Sequence, residues 1–146
     1  MINKYIQSEM INKYIQSEIG VTRLYNPGVA CVSFGFEYNS LYENNTVKTD
    51  ELKYFANQLP TDGFCDKSQS ANGIYYLTVD DLPTYANTDE EGNYFSEEIK
   101  IPEKYKEGQK IIVNILEDGW ISKIMYFMIA DGKWWLVLID DCDCSA

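Results

Sequence analysis

Two Asp-Gly pairs, Asp118-Gly119 and Asp131-Gly132, divide the last third of the chain into three long apolar runs rich in β-branched and aromatic residues. Asp-Gly offers two consecutive residues that tolerate positive φ, which is what a two-residue type I′ hairpin turn requires. The spacing predicts a three-stranded antiparallel meander over about residues 110–117, 121–130 and 133–140. Turns this tight also set register. Pairing Ala130 with Lys133 places Met128 opposite Trp135, Tyr126 opposite Val137 and Ile124 opposite Ile139. Pairing Glu117 with Trp120 places Val113 opposite Ile124 and Ile111 opposite Tyr126.

Side chains alternate across a strand. One face of the meander should therefore collect Ile111, Val113, Ile115, Tyr126, Met128 and Trp135. The other should collect Ile112, Leu116, Met125, Phe127, Trp134 and Leu136, interrupted by Asn114 and Lys123. A sheet with one wet face alternates apolar and polar residues; this one is apolar on both. Both faces need cover, one from the domain's own helices and the other from more chain or from a partner, which includes a second copy in a homo-oligomer.

Upstream, Asn26-Pro27-Gly28 separates two β-rich runs and predicts a hairpin with strands near residues 21–25 and 29–38. Thr49 can cap a helix over residues 50–59, stopped by Pro60, with Leu52, Phe55, Ala56 and Leu59 on one face. A further strand is expected at residues 74–79, and a short one at 95–101 in an acidic connector. The chain opens on the nonapeptide MINKYIQSE, repeated without change at residues 10–18. Nine residues turn a helix by two and a half turns, so the copies' apolar stripes face opposite ways and one helix cannot bury both. The expected organisation is a duplicated, helical leader over residues 1–18 and one globular α+β domain over residues 19–146. Its sheet is mostly antiparallel, with five or six strands and one or two helices packed on it.

The chain has 12 basic and 23 acidic residues, no histidine and Arg23 as its sole arginine. Residues 80–146 hold 15 acidic and 6 basic side chains, a net of −9 out of −11. Nucleic acid is disfavoured as a direct partner, since this charge balance does not neutralise phosphates. Such a field steers a basic protein instead. Lack of histidine removes the commonest general base and every triad or dyad built on it, and no glycine-rich phosphate loop or cofactor motif is present. Cys31, Cys65, Cys142 and Cys144 lack paired C-x-x-C spacing. With neither a secretory leader nor a run of about 18 apolar residues, the expectation is a cytoplasmic protein with free thiols and no membrane contact.

Residues 87–98, NTDEEGNYFSEE, partly resemble the calcium loop of the EF-hand family. Asn87, Asp89 and Glu91 occupy its first, third and fifth ligand positions, Gly92 its sharp turn, and Glu98 the position of its bidentate glutamate. The resemblance implies a calcium site. The sequence departs from it in having Asn87 for the leading aspartate, Tyr94 for a small aliphatic residue, and Pro83 and Pro102 in the flanks. The plainer reading is a solvated acidic loop. The closing meander is also loosely similar to SnoaL-like and cystatin-like curved sheets, which implies a small-ligand pocket.

Weighed together, these features predict a non-enzymatic acidic domain of the inhibitor or immunity type, directed at a basic protein. Its contact residues would be Tyr85, Asp89, Glu90, Glu91, Tyr94 and Glu97, with no cofactor. The alternatives are a pocket protein and a virion or self-assembling structural component.

Overall fold

The computed structural model describes residues 14–25, 34–38 (backbone only) and 53–141. Among them are nine strands: β1 (Val21–Tyr25), β2 (Phe34–Tyr38), β3 (Lys53–Ala56), β4 (Gly73–Val79), β5 (Tyr85–Thr88), β6 (Tyr94–Glu97), β7 (Lys110–Glu117), β8 (Trp120–Ala130) and β9 (Lys133–Asp140). They form one curled sheet in the order β3-β4-β7-β8-β9-β1-β2-β5-β6. Its middle is the antiparallel meander β7-β8-β9, to which β1 adds in parallel and β4 antiparallel.

Both Asp-Gly turns form as expected. Asp118 and Gly119 adopt φ of 53° and 84°, and Asp131 and Gly132 adopt 53° and 75°, the doubly left-handed geometry that matches strand twist. Register next to each turn is as the spacing predicts, with Glu117 opposite Trp120 and Met128 opposite Trp135. Further along, two bulges correct it. In β8, Leu116 pairs with Ile121 but Ile115 pairs with Lys123, leaving Ser122 as an extra residue. In β9, Phe127 pairs with Leu136 but Tyr126 pairs with Leu138, leaving Val137 extra. A one-residue slip moves every following side chain to the other face. Val113 therefore opposes Met125 rather than Ile124, and Ile139 opposes Met125 as well.

The resulting faces differ from the unbulged expectation. Val113, Ile115, Met125, Phe127 and Leu136 pack together on one side with Val21 of β1, Ile74 of β4 and Ile15. Met128, Val137 and Leu138 pack on the other with Leu24, Tyr85 and Tyr105. Val137 and Leu138 are neighbours in sequence yet join the same cluster, which is what a bulge between them achieves.

The α+β expectation is overturned: the described residues are sheet, turn and loop, with no helix of seven residues or more. The expected helix at 50–59 falls on β3, which runs parallel to β4, Tyr54 beside Ile74 and Phe55 beside Tyr75. An isolated helix of ten residues is marginal in water, whereas an edge strand gains a ladder immediately. Phe55 stacks on Tyr75 at a centroid distance of 4.6 Å, and Asn57, at φ 59°, ends the strand in a conformation no α-helix contains. Residues 51–52 and 1–13 lie outside the described residues, and with them most of the expected leader helix. Of the second nonapeptide copy, residues 16–20 form a tight turn in which the Gln16 carbonyl accepts from Gly20 N at 2.7 Å.

Among the described residues no helix supplies the second cover. The connector between β4 and β7 does, setting Leu82, Tyr85, Ile99, Ile101 and Tyr105 against Met128 and Leu138. Tyr105, in the 3-10 turn Glu103–Tyr105, donates its hydroxyl to Asp131 Oδ2 at 2.7 Å, fastening the connector to the second Asp-Gly turn. Gly108 then passes so close to β8 that an added Cβ would lie 2.3 Å from the Ile129 carbonyl oxygen.

Two predictions follow for stability. Deleting Ser122 should preserve the pairing of residues 123–130 and leave cooperative unfolding intact, because the bulge already sits outside the ladder. In a continuous ladder the same deletion would turn those residues inside out and unfold the chain. Gly108→Ala and Met128→Ala should both destabilise, the latter by about 2–5 kcal/mol, as read from urea denaturation.

Candidate functional site

The connector folds residues 85–97 into a hairpin at the margin of the sheet. Chain alternation around a central turn drives it: Tyr85 pairs with Glu97, Asn87 with Phe95 and Thr88 with Tyr94. The turn is held by one carboxylate. Asp89 Oδ1 accepts from the backbone N–H of Glu91 and of Asn93, each at 2.9 Å, and Gly92 takes φ 84° to close the loop. The Asn93 amide donation, with that of Glu91 and the Asn93 side chain, holds the Asp89 carboxyl below its ordinary 3.8. At the root, Asn87 Nδ2 donates to Glu97 Oε2 at 2.8 Å.

Of the residues expected to meet a partner, five come together on this hairpin and one does not serve. Asp89, Glu90, Glu91 and Tyr94 are exposed and Glu97 is half-buried, whereas Tyr85 is 7% exposed and anchors the hairpin in the core. Tyr94 is 59% exposed, and its neighbour Phe95, which the sequence reading passed over, is 46% exposed. Its signal lay in the Tyr94-Phe95 pair that follows a Gly-Asn turn, a pattern that also marks the strand.

The residues of the calcium-loop resemblance are arranged as a hairpin. Asn87 lies in the ladder and Asp89 is committed to backbone N–H groups, so the oxygens do not converge. Among the described residues, no three or more cysteine or carboxylate side chains are grouped to hold a metal ion. Cys65 is disulfide-bonded rather than a free thiol; Cys31, Cys142 and Cys144 lie outside the described residues. Among the described residues no helix is long and apolar enough to cross a membrane.

A second polar constellation sits where the meander opens. The β8–β9 ladder ends at Met125 and Ile139, yet β8 begins five residues earlier at Trp120, while Asp140 continues beside Leu24 of β1. The strands part around a pocket of about 200 Å³ lined by residues 121–124, Phe64, Asp140 and Asp141. Arg23 Nε lies 3.0 Å from Asp141 Oδ2. Burial pushes the half-buried Lys123 ammonium below its ordinary value, opposed by Asp141 and reinforced by Arg23. Behind Ile124, its ladder partner Asn114 buries an amide oxygen that accepts no hydrogen bond.

No protein-family model matches the chain, and no curated protein or solved structure matches it either.

The hairpin's turn yields a pH prediction. Asp89 has a lowered pKa in the folded state, so its contribution to the turn is complete above the ordinary 3.8 and is lost as pH falls through the lower folded value. Carboxyl-carbon NMR should place the Asp89 midpoint below the ordinary 3.8, and Asp89→Ala should collapse the chemical-shift dispersion of residues 90–93 at neutral pH. A midpoint at the ordinary value would show that the carboxylate does not hold the turn.

Proposed function

We propose that this chain is a non-enzymatic protein-binding domain of the inhibitor or immunity type, which engages a basic partner through the hairpin of residues 85–97. The observation that carries the reading is the exposure of Tyr94 and Phe95, 59% and 46%, at consecutive positions, and so on opposite faces, of the strand that ends the sheet, in the acidic segment of Glu90, Glu91 and Glu98. Large aromatic side chains are the usual anchors of interfaces, and among the described strands β6 lies at one edge of the sheet, where a further strand can add. Strand addition along β6 suits an extended basic segment. The acidic field around the hairpin would steer that segment during encounter.

Self-assembly through the second apolar face draws less support, because the connector already buries the centre of that face. The disulfide at Cys65 bears on where the encounter takes place. Disulfides persist in oxidising compartments, so we place the encounter there rather than in the cytoplasm.

The test is kinetic. With the partner captured from the native host and purified, Tyr94→Ser with Phe95→Ser should speed dissociation about tenfold or more, since anchor truncation costs at least ~2 kcal/mol. Replacing Glu90, Glu91 and Glu98 by glutamine should instead slow association and flatten its dependence on salt. Rates untouched by either variant would reject the hairpin as the contact.

A further inference from the structure

The opening between β8 and β9 carries a reading independent of the hairpin, from which β1 and β2 separate it in the sheet. We propose that this opening is a binding site for a small zwitterion of the α-amino acid class. Three features point to that chemistry.

The first is the unzipped ladder. β8 extends past its last pairing with β9, so residues 121–124, while paired to β7 on one edge, border a pocket of about 200 Å³ on the edge that β9 has left. The Ser122 bulge lies in this stretch, and bulges re-aim side chains where pairing stops. That volume admits a ligand the size of one amino acid.

The second feature is the distribution of charge. Arg23 and Asp141 engage each other at 3.0 Å, which leaves the pocket with a cationic wall on β8 and an anionic wall on β9. Lys123 forms no hydrogen bond or ion pair with a described residue, although an ammonium has three donors to place. Asp140 has a partner in the fold, but a carboxylate offers about four acceptor sites and retains capacity for a ligand ammonium. A ligand carboxylate on Lys123 and a ligand ammonium on Asp140 would make two charge-assisted hydrogen bonds, the strong kind. A net-neutral ligand also suits a chain of formal charge −11, whose field repels a simple anion.

The third feature is the apolar remainder of the lining. Phe64, 43% exposed, lines the pocket together with Ile121 and Ile124. An aliphatic or aromatic ligand side chain would lie along these three, so the site should favour apolar amino acids over acidic ones.

The experiment is a titration of the intact protein, followed by amide NMR, with leucine, phenylalanine, methionine and valine as probes. Each is compared with its amide, which lacks the carboxylate, and with the corresponding acid that lacks the amine. The expected result is saturable shifts confined to residues 121–124, 140 and 141 for at least one amino acid, with both analogues about tenfold weaker or more, as loss of a charge-assisted bond requires. Lys123→Met and Asp140→Asn should each weaken binding by a similar factor while leaving the rest of the spectrum unchanged. Absence of saturable shifts from all four amino acids at millimolar concentration would overturn the proposal. So would equal binding of the des-amino acid, which would mark a plain anion site, or affinity indifferent to both variants in folded protein.

Discussion

Burial of the β7-β8-β9 meander on both faces is the constraint on which the rest of the structure depends. Three strands apolar on both sides cannot stand in water, and the fold solves each side differently. On one side the curled sheet closes over itself, bringing Val21 and Ile74 from flanking strands onto Met125 and Phe127. On the other, the connector between β4 and β7 lies across Met128 and Leu138 and is fastened by Tyr105 to Asp131. What remains for recognition is therefore marginal in the literal sense. The two places proposed for recognition are the hairpin at one end of the sheet and the gap where β8 and β9 separate.

The parts of this fold governed by local backbone chemistry were legible in the sequence. Asp-Gly demands its turn wherever apolar runs flank it, and residues 110–117 and 133–140 form strands at the expected bounds. The expected pairing of the two upstream runs is present, Val21 opposite Tyr38, while residues 26–33 with the Asn-Pro-Gly segment lie outside the described residues. Bulges were not legible, because Ser122 and Val137 carry no local mark; an extra residue is chosen by which side chains can be buried together. The helix expected at residues 50–59 failed for a related reason. Its apolar spacing fits a helix, but Phe55 finds Tyr75 by joining the sheet, a contact that periodicity alone does not contain.

The candidate sites divide along the same line. Asp89, Glu90, Glu91 and Tyr94 were readable as an exposed acidic segment because composition alone marks such stretches. Tyr85 was misread as surface, since its burial depends on the connector folding back over the meander. The pocket was invisible in sequence: Lys123 and Asp140 are far apart in the chain and line one pocket where the β8–β9 ladder stops short. Lys123 did stand out as a charge inside an apolar run, and that interruption was the available signal.

Hydrogen exchange on the isolated protein tests the central claim most directly, because it reports protection strand by strand. If the chain spends both faces of the meander on its own core and leaves β6 as an open margin, the amides of Val113, Met128 and Leu138 exchange only through global unfolding. Residues 94–97 then exchange through local opening, many-fold faster. Equal protection of β6 and β8, or fast exchange in the middle of the meander, would contradict the account.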